Sequence, residues 1–183
     1  LPTAFYLTMA QEPVRGHAEL DQVEFVTLHA ASAFAQGRPL AGLVDGGTVF
    51  LQSREPDPEA IWLTIPADAR AEILARGIRV VALDTAELAR VHAPRPDLVL
   101  RMQGVALVGA FLRVAPFAAE EGMGRDELLV GVRDRLARFF GKRGGAVLDA
   151  NLEVITAAYD GLIDVTGSVL GPRPEPSVKG AGA

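Results

Sequence analysis

Hydrophobic positions fall in short, near-continuous runs over the first half of the chain and at helical spacing over the second. Val23, Phe25, Val26 and Leu28 form the first run, which predicts a strand reached through a loop over residues 20–28. Residues 30–36 then predict a short helix stopped by Gly37 and the Arg38-Pro39 pair. Asp45-Gly46-Gly47 is a turn signal directly before a second strand, Thr48-Val49-Phe50-Leu51. Residues 53–58, with two prolines, predict a loop. Residues 66–75 predict a helix with Pro66 in its first turn and Gly77 at its stop. Ile78-Arg79-Val80-Val81-Ala82-Leu83 is the clearest strand, and Thr85 opens a helix through Arg90. Strand and helix alternating three times predict an α/β fold. Its sheet is expected to be mostly parallel, Rossmann-like and covered by helices on both faces, because the strands lack polar alternation.

Past Pro96 the period changes from strand to helix, which predicts a helical C-terminal half. Asp97 is placed to cap a helix running through Leu98, Leu100, Met102, Val105, Leu107 and Leu112. Gly104, Gly109 and Ala110 on that helix predict a buried face closely approached by a neighbour, since glycine inside a helix costs about 0.5–1 kcal/mol against alanine. Residues 126–140 are amphipathic, with Leu128, Leu129, Val132, Leu136 and Phe139 opposite Arg133, Asp134 and Arg138. A glycine and cation turn over 141–145 precedes a last helix over 146–159, ending near Gly161. One domain over residues 1–170 is expected. A flexible Pro/Gly-rich tail is expected over 171–183.

Composition narrows the function classes. Of the 183 residues 49% are hydrophobic and 22% charged, with a net charge of −5, so the chain carries a core and is not disordered as a whole. A pI near 5.2 argues against nucleic acid as a partner. No cysteine occurs, which removes disulfides, thiolate metal sites and cysteine-ligated iron–sulfur clusters, and fits a cytoplasmic location. The longest apolar stretch, 105–114, contains Arg113 and falls short of the ~20 residues a membrane span needs, so no membrane role is expected. The opening Leu1-Pro2-Thr3-Ala4 has no basic segment ahead of an apolar one, so no secretory signal is expected.

Candidate chemistry is sparse. His17, His29 and His92 have no metal-ligand spacing, so no metal site is expected. Ser32, Ser53, Ser168 and Ser177 sit in no nucleophile-elbow context, and no catalytic residue is assigned. Asp84, at a strand's carboxyl end, either caps the following helix or meets a ligand in the crevice where α/β sheets bind one; capping is favoured. The Asp45-Gly46-Gly47 glycines precede a strand, whereas phosphate loops follow one. Lys142 and Arg143 between glycines could hold an anion, with a solvated connection favoured. Chemistry alone thus describes an accessory α/β domain without its own reaction centre.

Several segments, read in order, resemble a known family. Glu12-Pro13-Val14 followed by Val23-Glu24-Phe25-Val26 is one, and Leu43-Val44-Asp45-Gly46-Gly47-Thr48-Val49 is the next. Val80-Val81-Ala82-Leu83-Asp84 leads into Ala86, Leu88 and Ala89. Gln103-Gly104-Val105-Ala106-Leu107-Val108-Gly109-Ala110 and Asn151 through Gly161 complete the set. Together they resemble the gamma subunit or domain of 2-oxoacid:acceptor (ferredoxin) oxidoreductases, over most of residues 5–162. Two features depart from that pattern. Gln103 stands where the family has Asn, and no GxGGQG-type turn precedes Tyr6, so that glycine-rich unit is expected either on another segment or to be absent.

The resemblance implies a part of an enzyme that oxidatively decarboxylates a 2-oxoacid such as pyruvate or 2-oxoglutarate. The product is acyl-CoA, and electrons pass to ferredoxin or a similar acceptor. Thiamine diphosphate and iron–sulfur clusters are implied on alpha- and beta-type partner subunits, with coenzyme A as co-substrate. This chain would supply assembly contacts and a wall on the coenzyme A side, and would be inactive alone. A non-catalytic α/β assembly or regulatory module is the alternative. Asn151, at the family's C-terminal helix, is expected to bond the backbone of a neighbouring loop, with Asp149 as a competing cap; a ligand contact is the lesser alternative for Asn151, as for Asp84 and Gln103.

Overall fold

The computed structural model describes residues 20–140 and 145–168, together with Thr8, Pro13 and Val14; the side chains of Phe139 and Phe140 lie outside that set. The expected tail over 171–183, and 141–144 of the glycine and cation turn, lie outside the described residues. The sheet has four strands in sequence order: β1 (Val23–Leu28), β2 (Leu43–Gln52), β3 (Arg79–Leu83) and β4 (Ile163–Asp164). The first three are parallel, and β4 joins β3 antiparallel through Val81↔Asp164 and Ala82↔Ile163. The mostly parallel α/β architecture is as the alternation of the sequence predicts.

Side chains alternate across the sheet, so each face has its own core. Val49, Leu51, Val80 and Ala82 point to one face, against Ile61 and Trp62 of α2 (Pro58–Leu63), Ile73 of α3 (Ala67–Ala75) and Val165. Phe50 and Val81 point to the other, against Ala110 of α5 (Val99–Val114). Phe25 of β1 meets Phe111 of α5 edge-on, with ring centroids 5.4 Å apart. Further out, Ala89 of α4 (Thr85–His92), Met102 and Ala106 of α5, and Ala150, Val154 and Ala158 of α8 (Gly145–Gly161) close a third cluster. The short α1 (Ala33–Gln36) follows β1, α6 (Phe117–Glu120) follows α5, and α7 (Arg125–Phe140) buries Leu128.

Four expectations are corrected. Asp45-Gly46-Gly47 is not a turn before the strand but a bulge inside β2. Pairing advances from Val23↔Leu43 to Phe25↔Thr48, two residues on β1 against five on β2. Gly46 takes φ +76°, a left-handed conformation that favours glycine. Arg76 ties the bulge down through Asp45 (Nε to Oδ1, 2.8 Å) and the carbonyls of Leu40 and Leu43. The loop expected over 53–58 is found but ends one residue early: α2 begins on Pro58, because Asp57 accepts from the Glu59 N–H and Pro58 occupies the first turn. Asp97 does not cap α5: both its oxygens bond Arg95 (2.9 and 2.8 Å), and a single 3₁₀ turn, Pro96–Leu98, leads in instead. Gly104 is exposed, with nothing within 4 Å of a built Cβ, so it is not on the buried face. Gly109 and Ala110 are buried as expected, and a Cβ on Gly109 would lie 2.3 Å from the Ile155 carbonyl oxygen of α8.

Candidate functional site

The carboxyl edge of β2 and β3 is where a parallel sheet leaves a crevice for ligands. Strand β2 ends on Gln52, β3 runs into Asp84, and the two side chains bond each other. Asp84 Oδ1 accepts from the Ala86 N–H (3.1 Å) and the Glu87 N–H (3.0 Å), capping α4, and from Gln52 Nε2 (2.9 Å). Gln52 Oε1 in turn accepts from the Thr85 N–H (2.8 Å) and from the Thr85 hydroxyl. Asp84 is therefore the helix cap that its position predicts. Gln52 was not singled out in the sequence; a polar residue closing an apolar strand was the available signal.

Beside this network lies a cavity of about 250 Å³, lined by Ser53, Arg54 and Glu55 of the loop after β2, by Ile61, and by Leu83 and Asp84. Within the loop, Ser53 Oγ accepts from the Glu55 N–H (3.1 Å), and Glu55 Oε1 accepts from the Asp57 N–H (3.1 Å). Helices α2 and α4 both start at this edge, and a carboxylate, Asp57 or Asp84, occupies the free N–H groups of each. Neither first turn is a cradle for a phosphate chain.

The other candidate residues lie away from the cavity. Asn151 is buried, and its Nδ2 donates to the Val147 carbonyl oxygen at 2.6 Å, one turn back in its own helix. The expected bond to a neighbouring loop is thus corrected: α8 starts at Gly145, so Asn151 is in its second turn and Asp149 is an interior position, not a cap. Gln103 is half-buried on α5. Among the described residues no group of His, Asp and Glu is arranged to hold a metal ion. No described helix is long and apolar enough to cross a membrane.

Perturbed carboxylates mark structural clasps. Asp160 at the end of α8 is lowered by its bonds from Arg125 (Nε to Oδ1, 2.7 Å), which join it to the start of α7, and Arg125 is correspondingly raised. At Asp164, burial pushes the carboxyl up, but bonds from Arg79 (2.6 Å) and Thr166 outweigh it and leave the group lowered.

Comparison with known proteins places this architecture. The profile of the family described as "Pyruvate ferredoxin/flavodoxin oxidoreductase" matches residues 1–161. The chain belongs to that family. It is 25% identical over 166 residues to a putative pyruvate-flavodoxin oxidoreductase of Synechocystis, covering 90% of this chain and 13% of that protein. It is 22% identical over 163 residues to the pyruvate:ferredoxin oxidoreductase of Moorella thermoacetica, covering 89% and 13%. The chain thus spans about an eighth of the length of the curated relatives it matches. Its fold is similar to pyruvate oxidoreductase subunit PORC of Thermotoga maritima, with a TM-score of 0.50 and 16% identity over 79% of this chain and 66% of that one.

Proposed function

We propose that this chain is a gamma-type subunit or domain of a thiamine-diphosphate-dependent 2-oxoacid:acceptor oxidoreductase. The observation that carries the reading is the family match across residues 1–161. In the reaction a 2-oxoacid loses carbon dioxide, its acyl group passes to coenzyme A, and the electrons released go to ferredoxin or flavodoxin. The chain has no cysteine, so the clusters that carry those electrons are held on partner subunits or domains, of alpha and beta type. Thiamine diphosphate is held there too.

This chain's own contribution is assembly and one wall of the coenzyme A approach. The doubly covered sheet is a rigid body for that purpose. The capped starts of α2 and α4 leave the polyphosphate of coenzyme A to be bound mainly by other segments. The complex works in the cytoplasm. Anaerobic purification through a tag on this chain tests the reading: thiamine diphosphate and iron are expected in fixed proportion to it. A tagged chain that purifies with neither overturns it.

A further inference from the structure

The cavity at the carboxyl edge has an uneven set of polar groups. All three hydrogen bonds to Asp84 fall on Oδ1, and among the described residues Oδ2 accepts none. Gln52 fixes that division of labour. Its Oε1 is taken by Thr85, so Nε2 is the end that meets the carboxylate. An ionised carboxylate oxygen offers about two acceptor directions, and a ligand that satisfies them brings donors. Arg54, exposed at the rim, has no ion-pair partner among the described residues. The remaining wall, Ile61, Ala82, Leu83 and Ile163, is apolar. Two carboxylates, Asp84 and Glu55, and one guanidinium line it, which suits a ligand with hydroxyl donors and at most one strongly anionic group.

We propose that this cavity binds the ribose of a nucleoside or nucleoside 5′-monophosphate, the vicinal 2′- and 3′-hydroxyls donating to Asp84 Oδ2. An acidic side chain at a strand's carboxyl end is well placed for a ribose hydroxyl. Arg54 pairs with the 5′-phosphate at the rim. The volume, near 250 Å³, is below the roughly 300–1,000 Å³ of sites that enclose a whole drug-sized ligand. It therefore takes the sugar and leaves the base toward solvent. Coenzyme A carries a phosphate on the 3′-oxygen in place of the free diol. The inference thus goes beyond the proposed oxidoreductase role and does not rest on it.

Titration of the full 183-residue chain with adenosine 5′-monophosphate by calorimetry tests this directly. Saturable one-to-one binding is expected, with 2′-deoxyadenosine 5′-monophosphate and coenzyme A weaker by about tenfold or more, the loss for a hydrogen bond to a charged group. Asp84→Asn keeps an oxygen to cap α4, so it should melt near wild type yet bind the monophosphate about tenfold more weakly. Arg54→Ala should weaken the monophosphate and leave adenosine unchanged. No saturation up to about 10 mM monophosphate overturns the proposal. So does equal affinity for the deoxy analogue, a comparison made on the wild-type chain that holds even where Asp84→Asn fails to fold.

Discussion

Gly104 and Gly109 lie on the same helix and should respond oppositely to a methyl group. At Gly109 a Cβ would lie 2.3 Å from the Ile155 carbonyl oxygen and 2.9 Å from the Ala158 Cβ, so α5 and α8 would have to part. Gly109→Ala is expected to destabilise by about 1–3 kcal/mol. At Gly104 the space is open and the helix interior favours alanine, so Gly104→Ala should stabilise by about 0.5–1 kcal/mol. Thermal unfolding of the two variants against wild type measures both signs. Composition along α5 announced a small-residue contact but not which small residue made it, because that depends on the rotation of α5 against α8. Asn151 teaches the same lesson. Its place in a helix was legible, but its partner was not, since an amide can bond its own preceding turn as readily as a neighbouring loop. Because the bond stays inside α8, Asn151→Leu should cost less than about 1 kcal/mol, and urea unfolding midpoints would expose a larger loss.

At the scale of elements, apolar runs located β1, β2 and β3, and helical spacing located α4, α5, α7 and α8. Helices α2 and α6 and strand β4 escaped, α2 and β4 for opposite reasons. Helix α2 is six residues long, too short for a period, and rests on its Asp57 cap and the burial of Ile61 and Trp62. Strand β4 has two residues and exists through β3: the Val165 N–H donates to the Val80 carbonyl oxygen at 2.9 Å, and Arg79 bonds Asp164. The Asp45-Gly46-Gly47 bulge carries the residues of a turn, and only its pairing with β1 and its tether to Arg76 keep it in the strand.

The clasps at Asp164 and Asp160 give stability a pH dependence of definite sign. Both carboxylates are lowered in the folded chain, so their contribution is present above the unfolded value near pH 4 and is lost as pH falls below it. Melting temperature should therefore drop between about pH 5 and about pH 3. Asp164→Asn keeps the oxygen that accepts from Thr166 and removes the charge that pairs with Arg79, so its acid limb should be shallower than wild type. An unchanged slope would assign the acid sensitivity elsewhere.

For the molecule as a whole, the α/β class followed from alternation of strand and helix, and the family from the order of several weak segments. The site was less legible. Asp84 was visible as a strand-end carboxylate, but its bond to Gln52, 32 positions away, comes from the parallel pairing of β2 and β3 that sets Gln52 beside Leu83. The isolated chain, with no cysteine, is expected to show no 2-oxoacid-dependent electron transfer, and a dye-reduction assay on it checks that. The most direct measurement for the central claim is the same assay on the complex purified anaerobically through this chain. The predicted result is viologen reduction that requires both coenzyme A and a 2-oxoacid and co-elutes with this chain. A homogeneous preparation containing this chain that turns over neither pyruvate, 2-oxoglutarate nor a branched 2-oxoacid would contradict it.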